Sequence, residues 1–342
     1  MKNVLLTGGA GYIGSHIVVA LQEKGYIPII FDNLSNSSGS VVSSIEKISS
    51  IKPKFIKGDI RDTNILSKVL KDEKIDLVIH LAGLKSIGES VSDPLIYFDN
   101  NLSGTISLLK AMNLNGVKRL IFSSSATVYG QPDSLPLTES SPTKEPTNPY
   151  GRTKLFVEKI LEDLCKSDGN WSVVCLRYFN PVGAHPSSLI GETPSGIPNN
   201  LMPYISKVAT GDLPFLKVFG NDYSTPDGTG VRDFIHVMDL AEGHIAAIPF
   251  LEKQTGWTAV NLGCGRGYSV LQLLNEFSSV IGKEIPFKFE ARRPGDVGEC
   301  WASPNKALQL FNWKAKRNLR DMCIDSWNYE RSRSMGIKNE HL

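Results

Sequence analysis

Short apolar, β-branched runs alternate with longer amphipathic stretches through the first half of the chain. The short runs predict strands, and the longer stretches predict helices. The predicted strands are 4–6, 27–31, 54–57, 77–81, 120–123 and 173–176, and the predicted helices are 14–24, 64–72, 101–114 and 151–164. Strands that alternate with helices at this spacing favour a parallel sheet that is covered on both faces.

The pattern changes at about residue 181. Seven prolines between 181 and 226 lie among many Gly, Ser and Asn residues, a composition typical of loops and turns. We therefore predict a doubly wound α/β domain over 1–180 and a smaller, loop-rich substrate-binding domain over 181–342. A further predicted strand at 259–263 indicates that a segment near 232–268 returns to the first domain, so that the two domains interlace.

Composition and charge argue against several classes of protein. Of the 342 residues, 41% are hydrophobic and 21% are charged, as in ordinary soluble enzymes. The 37 Lys and Arg residues nearly balance the 35 Asp and Glu residues, whereas nucleic-acid-binding proteins usually show a basic excess. No apolar run approaches the roughly 18 residues of a membrane span, and the first residues do not form a signal peptide. Five scattered cysteines without a Cys-x-x-Cys pair argue against a disulfide framework or a zinc site. We expect a cytoplasmic protein that binds no metal, nucleic acid or membrane.

A glycine-rich turn joins the first predicted strand to the first predicted helix. Gly8, Gly11 and Gly14 are spaced Gly-x-x-Gly-x-x-Gly, one residue longer than the usual dinucleotide fingerprint. Such glycines let the chain turn sharply and let a pyrophosphate lie against the amides of a helix N-terminus. Asp32 ends the second predicted strand, where a carboxylate accepts hydrogen bonds from the adenosine ribose and repels a 2′-phosphate. No Lys or Arg lies within 33–45, so NAD is favoured over NADP.

A tyrosine and a lysine are placed four residues apart on one helix face. Tyr150 and Lys154 follow the proline that begins the last predicted helix of the first half. Because a phenol has a pKa of about 10, it is a poor base at neutral pH unless a nearby cation lowers that pKa, and Lys154 can supply the cation. Ser125 ends the predicted fifth strand, at the edge where parallel sheets bind ligands. It can hydrogen-bond the reacting oxygen and share a proton with Tyr150.

These motifs carry a resemblance to a known family. Segments 7–14, 123–130 and 150–154 resemble the extended short-chain dehydrogenase/reductase family. The chain is similar to the branch of that family that epimerises UDP-sugars, through segments 32–34, 80–85, 177–181, 228–233 and 292–296, and the similarity extends from residue 2 to about 330.

The resemblance implies an NAD-binding Rossmann domain, a homodimer and the interconversion of UDP-glucose and UDP-galactose. Tyr150 would take the proton from the 4-hydroxyl while a hydride passes from C4 to NAD. The transient 4-keto sugar would then turn and receive the hydride on its other face. The cofactor would be recycled in place, because no net oxidation occurs.

The resemblance also implies the residues that contact each ligand. NAD would be contacted by Gly8, Gly11, Tyr12, Ile13, Gly14, Asp32, Asn33, Leu34, Ser35, Asn36, Ser37, Asp59, Ile60, Leu81, Ala82, Gly83, Lys85, Asn100, Ser125, Tyr150, Lys154 and Phe179. The UDP-sugar would be contacted by Lys85, Ser125, Tyr150, Asn180, Asn200, Leu201, Lys217, Val218, Phe219, Arg232, Arg293, Asp296 and Cys300. Arginines suit a diphosphate because a guanidinium offers a fixed fork of donors, although a single arginine is often only a solvated surface residue. Asp59 could equally be a helix cap.

Position 300 departs from part of the family. The chain has Cys300 where some members carry a bulky tyrosine beside the C2 substituent of the sugar. A small side chain there leaves room for an N-acetyl group, which predicts that UDP-GlcNAc and UDP-GalNAc are also interconverted. The alternative is that Cys300 is a buried, inert thiol.

Two other functions agree less well with the sequence. Nucleotide-sugar 4,6-dehydratases need an acid and a base, usually an Asp-Glu pair, beside the catalytic serine. This chain has Ala126 and Thr127 there, and neither side chain can do that chemistry. A cofactor-sensing protein without catalysis is expected to lack an intact pair such as Tyr150 and Lys154.

Overall fold

A computed structural model describes residues 2–194, 196, 198–293 and 295–340, with the side chains of the last helix described to Met335. The strands are β1 (Asn3–Thr7), β2 (Ile27–Asp32), β3 (Lys54–Lys57), β4 (Leu77–His80), β5 (Arg119–Ser125), β6 (Ser172–Tyr178), β7 (Asn180–Val182), β8 (Leu216–Phe219), β9 (Val231–Arg232), β10 (Phe234–His236), β11 (Gly256–Leu262), β12 (Tyr268–Ser269), β13 (Phe287–Glu290) and β14 (Glu299–Cys300).

The helices are α1 (Tyr12–Glu23), α2 (Ser40–Ser49), α3 (Thr63–Asp72), α4 (Ile87–Ser92), α5 (Pro94–Tyr97), α6 (Gly104–Leu114), α7 (Pro149–Ser167), α8 (Leu201–Thr210), α9 (Val237–Lys253), α10 (Val270–Ile281), α11 (Asn305–Phe311) and α12 (Leu319–Glu340). A π-helical segment (Phe98–Ser103) leads into α6, and a 3₁₀ turn (Ala126–Tyr129) follows β5. The helix predicted over 101–114 is therefore two segments, since its first residues belong to the π-helical one.

A seven-stranded sheet with the order β11-β6-β5-β4-β1-β2-β3 forms the larger part of the fold. All neighbouring strands in it are parallel. The strand order reverses between β1 and β4, which is the point where open parallel sheets bind ligands at their carboxyl edge. The predicted fold class, a doubly wound parallel sheet of the Rossmann type, is confirmed.

Apolar side chains cover both faces of this sheet, as expected for parallel strands. One core cluster packs α1, α2 and α9 against the sheet, through residues such as Ile17, Val42 and Leu240. The cluster on the opposite face packs α3, α6 and α7, through residues such as Leu66 and Leu108. Because all seven strands are parallel, their carboxyl ends lie at a single edge of the sheet, and the candidate site lies there.

Most of the chain after β6 forms smaller units. The pair β10-β7, the three-stranded sheet β12-β9-β14 and the pair β13-β8 lie in this part, and α8, α10 and α12 share a third apolar cluster. Two elements of this later part of the chain join the first part: α9 packs on α1, and β11 pairs with β6 of the large sheet. The division into domains at residue 180, with a returning segment near 232–268, stays a prediction.

None of the helices among the described residues is both long enough and apolar enough to cross a membrane. In the same part of the chain, no three His, Cys, Asp or Glu side chains are grouped so that they could hold a metal ion. All five cysteines are free thiols.

Candidate active site

The turn between β1 and α1 brings backbone amides to the carboxyl edge of the sheet. Gly8 has a φ of +73°, and a Cβ there would lie 2.6 Å from the backbone nitrogen of Ala82. A Cβ on Gly14 would overlap the carbonyl oxygen of Gly8. Among the described residues, no side chain caps the start of α1 after Gly11, so the first amides of the helix can bind an anion. This cradle of glycines fits the pyrophosphate of a dinucleotide.

Asp32 lies at the end of β2 and is 7% exposed. Its carboxylate accepts hydrogen bonds from Ala10 N at 3.0 Å, Leu34 N at 2.8 Å and Ser37 Oγ at 3.2 Å. It thereby fixes the loop after β2 next to the glycine turn. A carboxylate held in this position fits the ribose of a dinucleotide, as the sequence predicts. The same loop carries the predicted contacts Ser35 and Asn36, which are exposed.

Asp59 joins the loops that follow β2 and β3. Its carboxylate accepts hydrogen bonds from the Arg61 guanidinium and from Asn33 Nδ2. The hydrogen bonds from Arg61 hold the pKa of Asp59 well below its usual range. The alternative that Asp59 caps a helix is not what the structure shows, because Asp62 caps α3. The neighbouring Ile60 is buried.

The loop after β4, which holds the predicted contacts at residues 81–85, is fixed by Asn101. The Asn101 amide accepts a hydrogen bond from Leu84 N at 2.8 Å and donates to Leu84 O at 3.0 Å. It also donates to Thr153 Oγ1, which in turn donates to the carbonyl oxygen of Tyr150. The predicted contact Asn100 is half-buried and donates to Asn101 Oδ1. The sequence reasoning missed Asn101, although it follows Asn100 directly.

The three predicted catalytic residues lie at the carboxyl end of β5. Tyr150 and Lys154 occupy the first two turns of α7, and Ser125 is the last residue of β5. Lys154 Nζ donates to the carbonyl oxygen of Ser123 at 2.7 Å and lies 5.9 Å from the centroid of the Tyr150 ring. Ser125 Oγ accepts a hydrogen bond from Thr127 N at 3.2 Å. The fold thus places a phenol, an ammonium and a hydroxyl at one edge.

Burial dominates the protonation equilibria of this group. Desolvation raises the pKa of Tyr150, while a hydrogen bond with the Ser125 hydroxyl acts in the opposite direction. Desolvation lowers the pKa of Lys154 to about 8, so that most of the ammonium stays protonated at pH 7. The lowering of the Tyr150 pKa by Lys154 that the sequence suggests stays a prediction.

His80, the last residue of β4, links the elements around the site by hydrogen bonds. Its Nδ1 is 2.6 Å from Thr7 Oγ1 and its Nε2 is 2.8 Å from Thr105 Oγ1, so it joins β1 and β4 to α6. Desolvation, with a smaller contribution from Lys154, lowers the pKa of His80 to about 3. The ring is therefore neutral near pH 7 and carries hydrogen bonds rather than charge.

A buried ion pair fixes α7, the helix that carries Tyr150 and Lys154, to the strands. The guanidinium of Arg177 on β6 donates to both carboxylate oxygens of Glu158 on α7, at 3.0 and 2.7 Å. Ser124 Oγ donates to the same carboxylate at 2.5 Å, one residue before Ser125. Glu158 was missed from the sequence, although it follows Lys154 by four residues and so lies on the same face of α7.

Two predicted substrate residues are neighbours in the small three-stranded sheet. Arg232 on β9 is paired in register with Cys300 on β14. Arg232 Nη1 donates to the carbonyl oxygens of Val231 at 2.9 Å and Gly298 at 3.3 Å. Burial raises the pKa of Cys300 to about 11, so its side chain is a small, uncharged thiol. Cys300 packs against the apolar cluster that contains Phe179, a buried residue that is predicted to contact NAD.

A second group of predicted substrate residues surrounds an aromatic ring. The guanidinium carbon of Arg293 lies 4.8 Å from the centroid of the Phe219 ring, and Arg293 Nε donates to Asp296 Oδ2 at 2.9 Å. Lys217 on the same strand is exposed, whereas Val218 is buried in the core. Val218 could therefore contact a ligand only through its backbone. Pro294 of the motif that resembles the family lies outside the described residues.

Predicted contacts from opposite halves of the chain meet at Glu192. Lys85 Nζ and Asn200 Nδ2 donate to the same Glu192 oxygen, at 2.8 and 2.7 Å. Nearby, the hydroxyl of Tyr12 in the first turn of α1 donates to the carbonyl oxygen of Gly183 at 2.7 Å. Leu201, the predicted contact that follows Asn200, is the first residue of α8. Asn180 is exposed at the start of β7. Glu192 was missed because no local motif marks it.

A parallel sheet with a dinucleotide cradle and a Tyr–Lys pair at its carboxyl edge defines a class of nucleotide-dependent oxidoreductases and epimerases. Residues 4–263 match the family model described as the NAD dependent epimerase/dehydratase family. The chain belongs to this family.

Individual relatives agree along the whole chain. A UDP-glucose 4-epimerase of Bacillus subtilis is 53% identical over 98% of this chain and 99% of its own length. The solved structure of a UDP-glucose 4-epimerase from Stenotrophomonas maltophila, with bound NAD and formylated UDP-arabinopyranose, has a TM-score of 0.96 and 50% identity over 98% of this chain and 100% of its own. The UDP-Glc/GlcNAc 4-epimerase of Campylobacter jejuni has a TM-score of 0.84 and 32% identity over 97% and 100%.

These similarities confirm the resemblance drawn from the motifs. They also confirm the prediction of an NAD-dependent epimerase. The contacts of the individual site residues with NAD and substrate stay predictions.

Proposed function

We propose that the chain interconverts UDP-glucose and UDP-galactose by inverting the configuration at C4. The observation that carries this proposal is the position of Tyr150, Lys154 and Ser125 at the carboxyl end of β5. The glycine turn lies at the same edge of the large sheet. The relatives that match the whole chain support it, since they include UDP-glucose 4-epimerases.

The chain's own residues would handle the proton and hold the ligands. Tyr150 takes the proton from the 4-hydroxyl and later returns it, while Ser125 hydrogen-bonds the same oxygen. A protonated Lys154 favours the phenolate form of Tyr150 by its charge. The amides at the start of α1 and the Asp32 carboxylate would hold NAD. When bound, NAD supplies reversible acceptance of a hydride from C4.

The substrate must be held firmly while its sugar stays free to turn. Arg232 and Arg293 suit the diphosphate, because guanidinium donors match phosphate oxygens in geometry as well as charge. Binding through the nucleotide leaves the sugar without a fixed orientation, so either face of C4 can be presented. The Tyr150 hydroxyl then serves both faces from one position.

Epimerisation without added cofactor tests the proposed function. The purified protein is incubated with UDP-glucose alone, and the C4 epimers are resolved by proton NMR. We expect an equilibrium mixture with UDP-galactose, because the cofactor is regenerated in each turnover and needs no replacement. A protein that converts nothing, even after NAD is supplied, would contradict the proposal.

We propose further that UDP-GlcNAc and UDP-GalNAc are interconverted, because the thiol of Cys300 is small. A relative described as a UDP-Glc/GlcNAc 4-epimerase supports this. Cys300→Tyr should lower turnover of the N-acetyl sugars by about tenfold or more relative to UDP-glucose, since the ring fills the space of the acetyl group. Cys300→Ala is the matched control and should keep both activities. An equal loss of both activities in the tyrosine variant would show that position 300 does not select the substrate.

We also infer a homodimer in the cytoplasm. Val91, Leu95 and Phe156 are 63%, 78% and 44% exposed on the adjacent helices α4, α5 and α7. Exposed apolar side chains on neighbouring helices favour association, and a second copy would cover them with the same side chains by two-fold symmetry. Light scattering on the purified protein measures its mass, and the mass of a single chain would contradict the dimer. The cytoplasmic location rests on the sequence composition.

A further inference from the structure

We propose that Asp233 is a positioning residue that fixes one wall of the substrate site, formed by Arg232 and Cys300, against the large sheet. The inference rests on the proposed function, in which Arg232 binds the diphosphate of the substrate. Asp233 follows Arg232 directly and lies between β9 and β10. Asp233 therefore lies directly beside the side chain that would bind the ligand.

The Asp233 carboxylate joins two separate segments of the chain. It accepts hydrogen bonds from Cys264 N at 2.7 Å and Gly265 N at 3.0 Å, both in the loop that follows β11. It accepts a third from Ala302 N at 3.1 Å, two residues after the end of β14. Because β11 is an edge strand of the large sheet and β14 belongs to the small sheet, the carboxylate links the two sheets.

The backbone of Asp233 adds two further links. Its N–H donates to the carbonyl oxygen of Cys300 at 3.1 Å, and its carbonyl oxygen accepts from Asn180 N at 2.9 Å. Asn180 and Cys300 are both predicted substrate residues. One residue thus makes five hydrogen bonds, and it lies next to three of the predicted substrate contacts.

The space around the carboxylate admits little else. A Cβ on Gly263 would lie 2.6 Å from Asp233 Oδ2 and 2.8 Å from the Cβ of Ala302. Gly265, which donates one of the three hydrogen bonds, has a φ of +75°. The Asp233 side chain is therefore surrounded by two positions that require glycine: Gly263, which it approaches closely, and Gly265, which has a left-handed backbone conformation. A carboxylate displaced by even one methylene would lose the alignment of its donors.

The arrangement places a charged group where a neutral one would be easier to bury. Asp233 is fully buried, and its carboxylate accepts hydrogen bonds from three backbone N–H groups. Burial raises the pKa of Asp233 to about 6, while the three N–H donors act in the opposite direction, so the group is mostly ionised at pH 7. An ionised acceptor makes stronger hydrogen bonds than a neutral one. Burying this charge costs free energy, and we attribute the cost to the need for a rigid wall. An error of about 1 Å in the position of such a group is costly to the function of the site.

Affinity for UDP separates positioning from folding. Asp233→Asn keeps the shape of the side chain but puts an amide NH₂ where an oxygen accepts a bond. We expect the Kd for UDP, measured by calorimetry on the NAD-loaded protein, and the KM for UDP-glucose to rise about tenfold or more. The kcat at saturation and the NAD content should stay within about threefold, because Tyr150 and the glycine turn are untouched.

Asp239→Asn is the matched control. Asp239 is equally buried, and its carboxylate accepts bonds from Lys316 N, Arg317 N and the Arg317 guanidinium, but these donors lie in the segment between α11 and α12. This variant should lose stability without a change in the affinity for UDP. If the two variants weaken UDP binding equally, the effect is a general loss of stability and the proposal is wrong.

A double-mutant cycle tests whether Asp233 acts through Arg232. Arg232→Ala alone should weaken UDP binding, and adding Asp233→Asn to it should weaken binding by less than about twofold more. Fully additive losses would contradict the proposal, because they would mean that Asp233 does not act through this guanidinium.

Asp233→Glu provides a second variant that keeps the charge and displaces it by one methylene. We expect it to show the same rise in KM to a smaller extent. If neither Asp233 variant folds while Asp239→Asn does, Asp233 is a folding residue and the proposal is overturned. A wild-type protein that binds UDP without epimerising UDP-glucose contradicts the proposed function alone, whereas active Asp233 variants with unchanged UDP affinity contradict only the positioning role.

Discussion

Tyr150→Phe should lower kcat for UDP-glucose epimerisation by about 10³-fold. The substitution removes a single oxygen and keeps the ring, so the packing at the start of α7 is preserved. Proton transfer by a positioned side chain contributes roughly 10²–10⁴-fold to a rate, and the Tyr150 ring has the buried ammonium of Lys154 beside it. The content of NAD should change little, because the other predicted NAD contacts, including the glycine turn and Asp32, are unaltered.

The measurement is initial-rate kinetics with UDP-glucose, together with the amount of NAD released on denaturation. Tyr26→Phe is the control, since it makes the same chemical change just before β2, at the opposite edge of the sheet. That variant should retain full activity. If Tyr150→Phe keeps more than about a tenth of the wild-type kcat, another group moves the proton and the assignment of Tyr150 fails.

The first six strands could be predicted because each is a local run of apolar residues. Their observed ends differ from the predicted ones by no more than two residues, as between 120–123 and β5 (Arg119–Ser125). The helix α2 was not predicted, since only Val42 and Ile45 of its ten residues are buried and Ser dominates its sequence. Most of the smaller strands after β6 were missed too. Several contain only two to four residues, which is too short for a periodic pattern to appear.

The same distinction applies to the site. Tyr150 and Lys154 are four residues apart and the glycines lie within one turn, so short motifs reveal them. Glu192 and Lys85 are 107 residues apart, and their contact depends on how distant loops fold back onto the sheet edge. Asp233 bonds backbone amides, which carry no sequence signature at all. Local patterns therefore identify the groups that we propose to react, while the residues that position them become visible only in the fold.

The second large effect is expected at the buried ion pair next to the predicted catalytic residue Ser125. Glu158 and Arg177 are 2% and 3% exposed, and the carboxylate also accepts the hydrogen bond from Ser124. Glu158→Gln leaves the guanidinium buried without its counter-charge. Breaking a buried pair by removing one partner typically lowers the free energy of unfolding by about 3–5 kcal/mol. We expect a loss of this size in denaturant unfolding of the NAD-loaded protein.

Glu162→Gln is the matched control, one turn further along α7. Glu162 pairs with Lys159 and Lys166 at the surface, where ion pairs contribute about 0–1 kcal/mol. The two glutamine variants make the same chemical change on one helix, so the difference between them isolates the effect of burial. Replacing Arg177 by methionine in the Glu158→Gln background removes the stranded charge and should recover part of the stability. Equal losses in Glu158→Gln and Glu162→Gln would mean that water or a rearranged neighbour satisfies Arg177, and that the pair does not hold α7 to the strands.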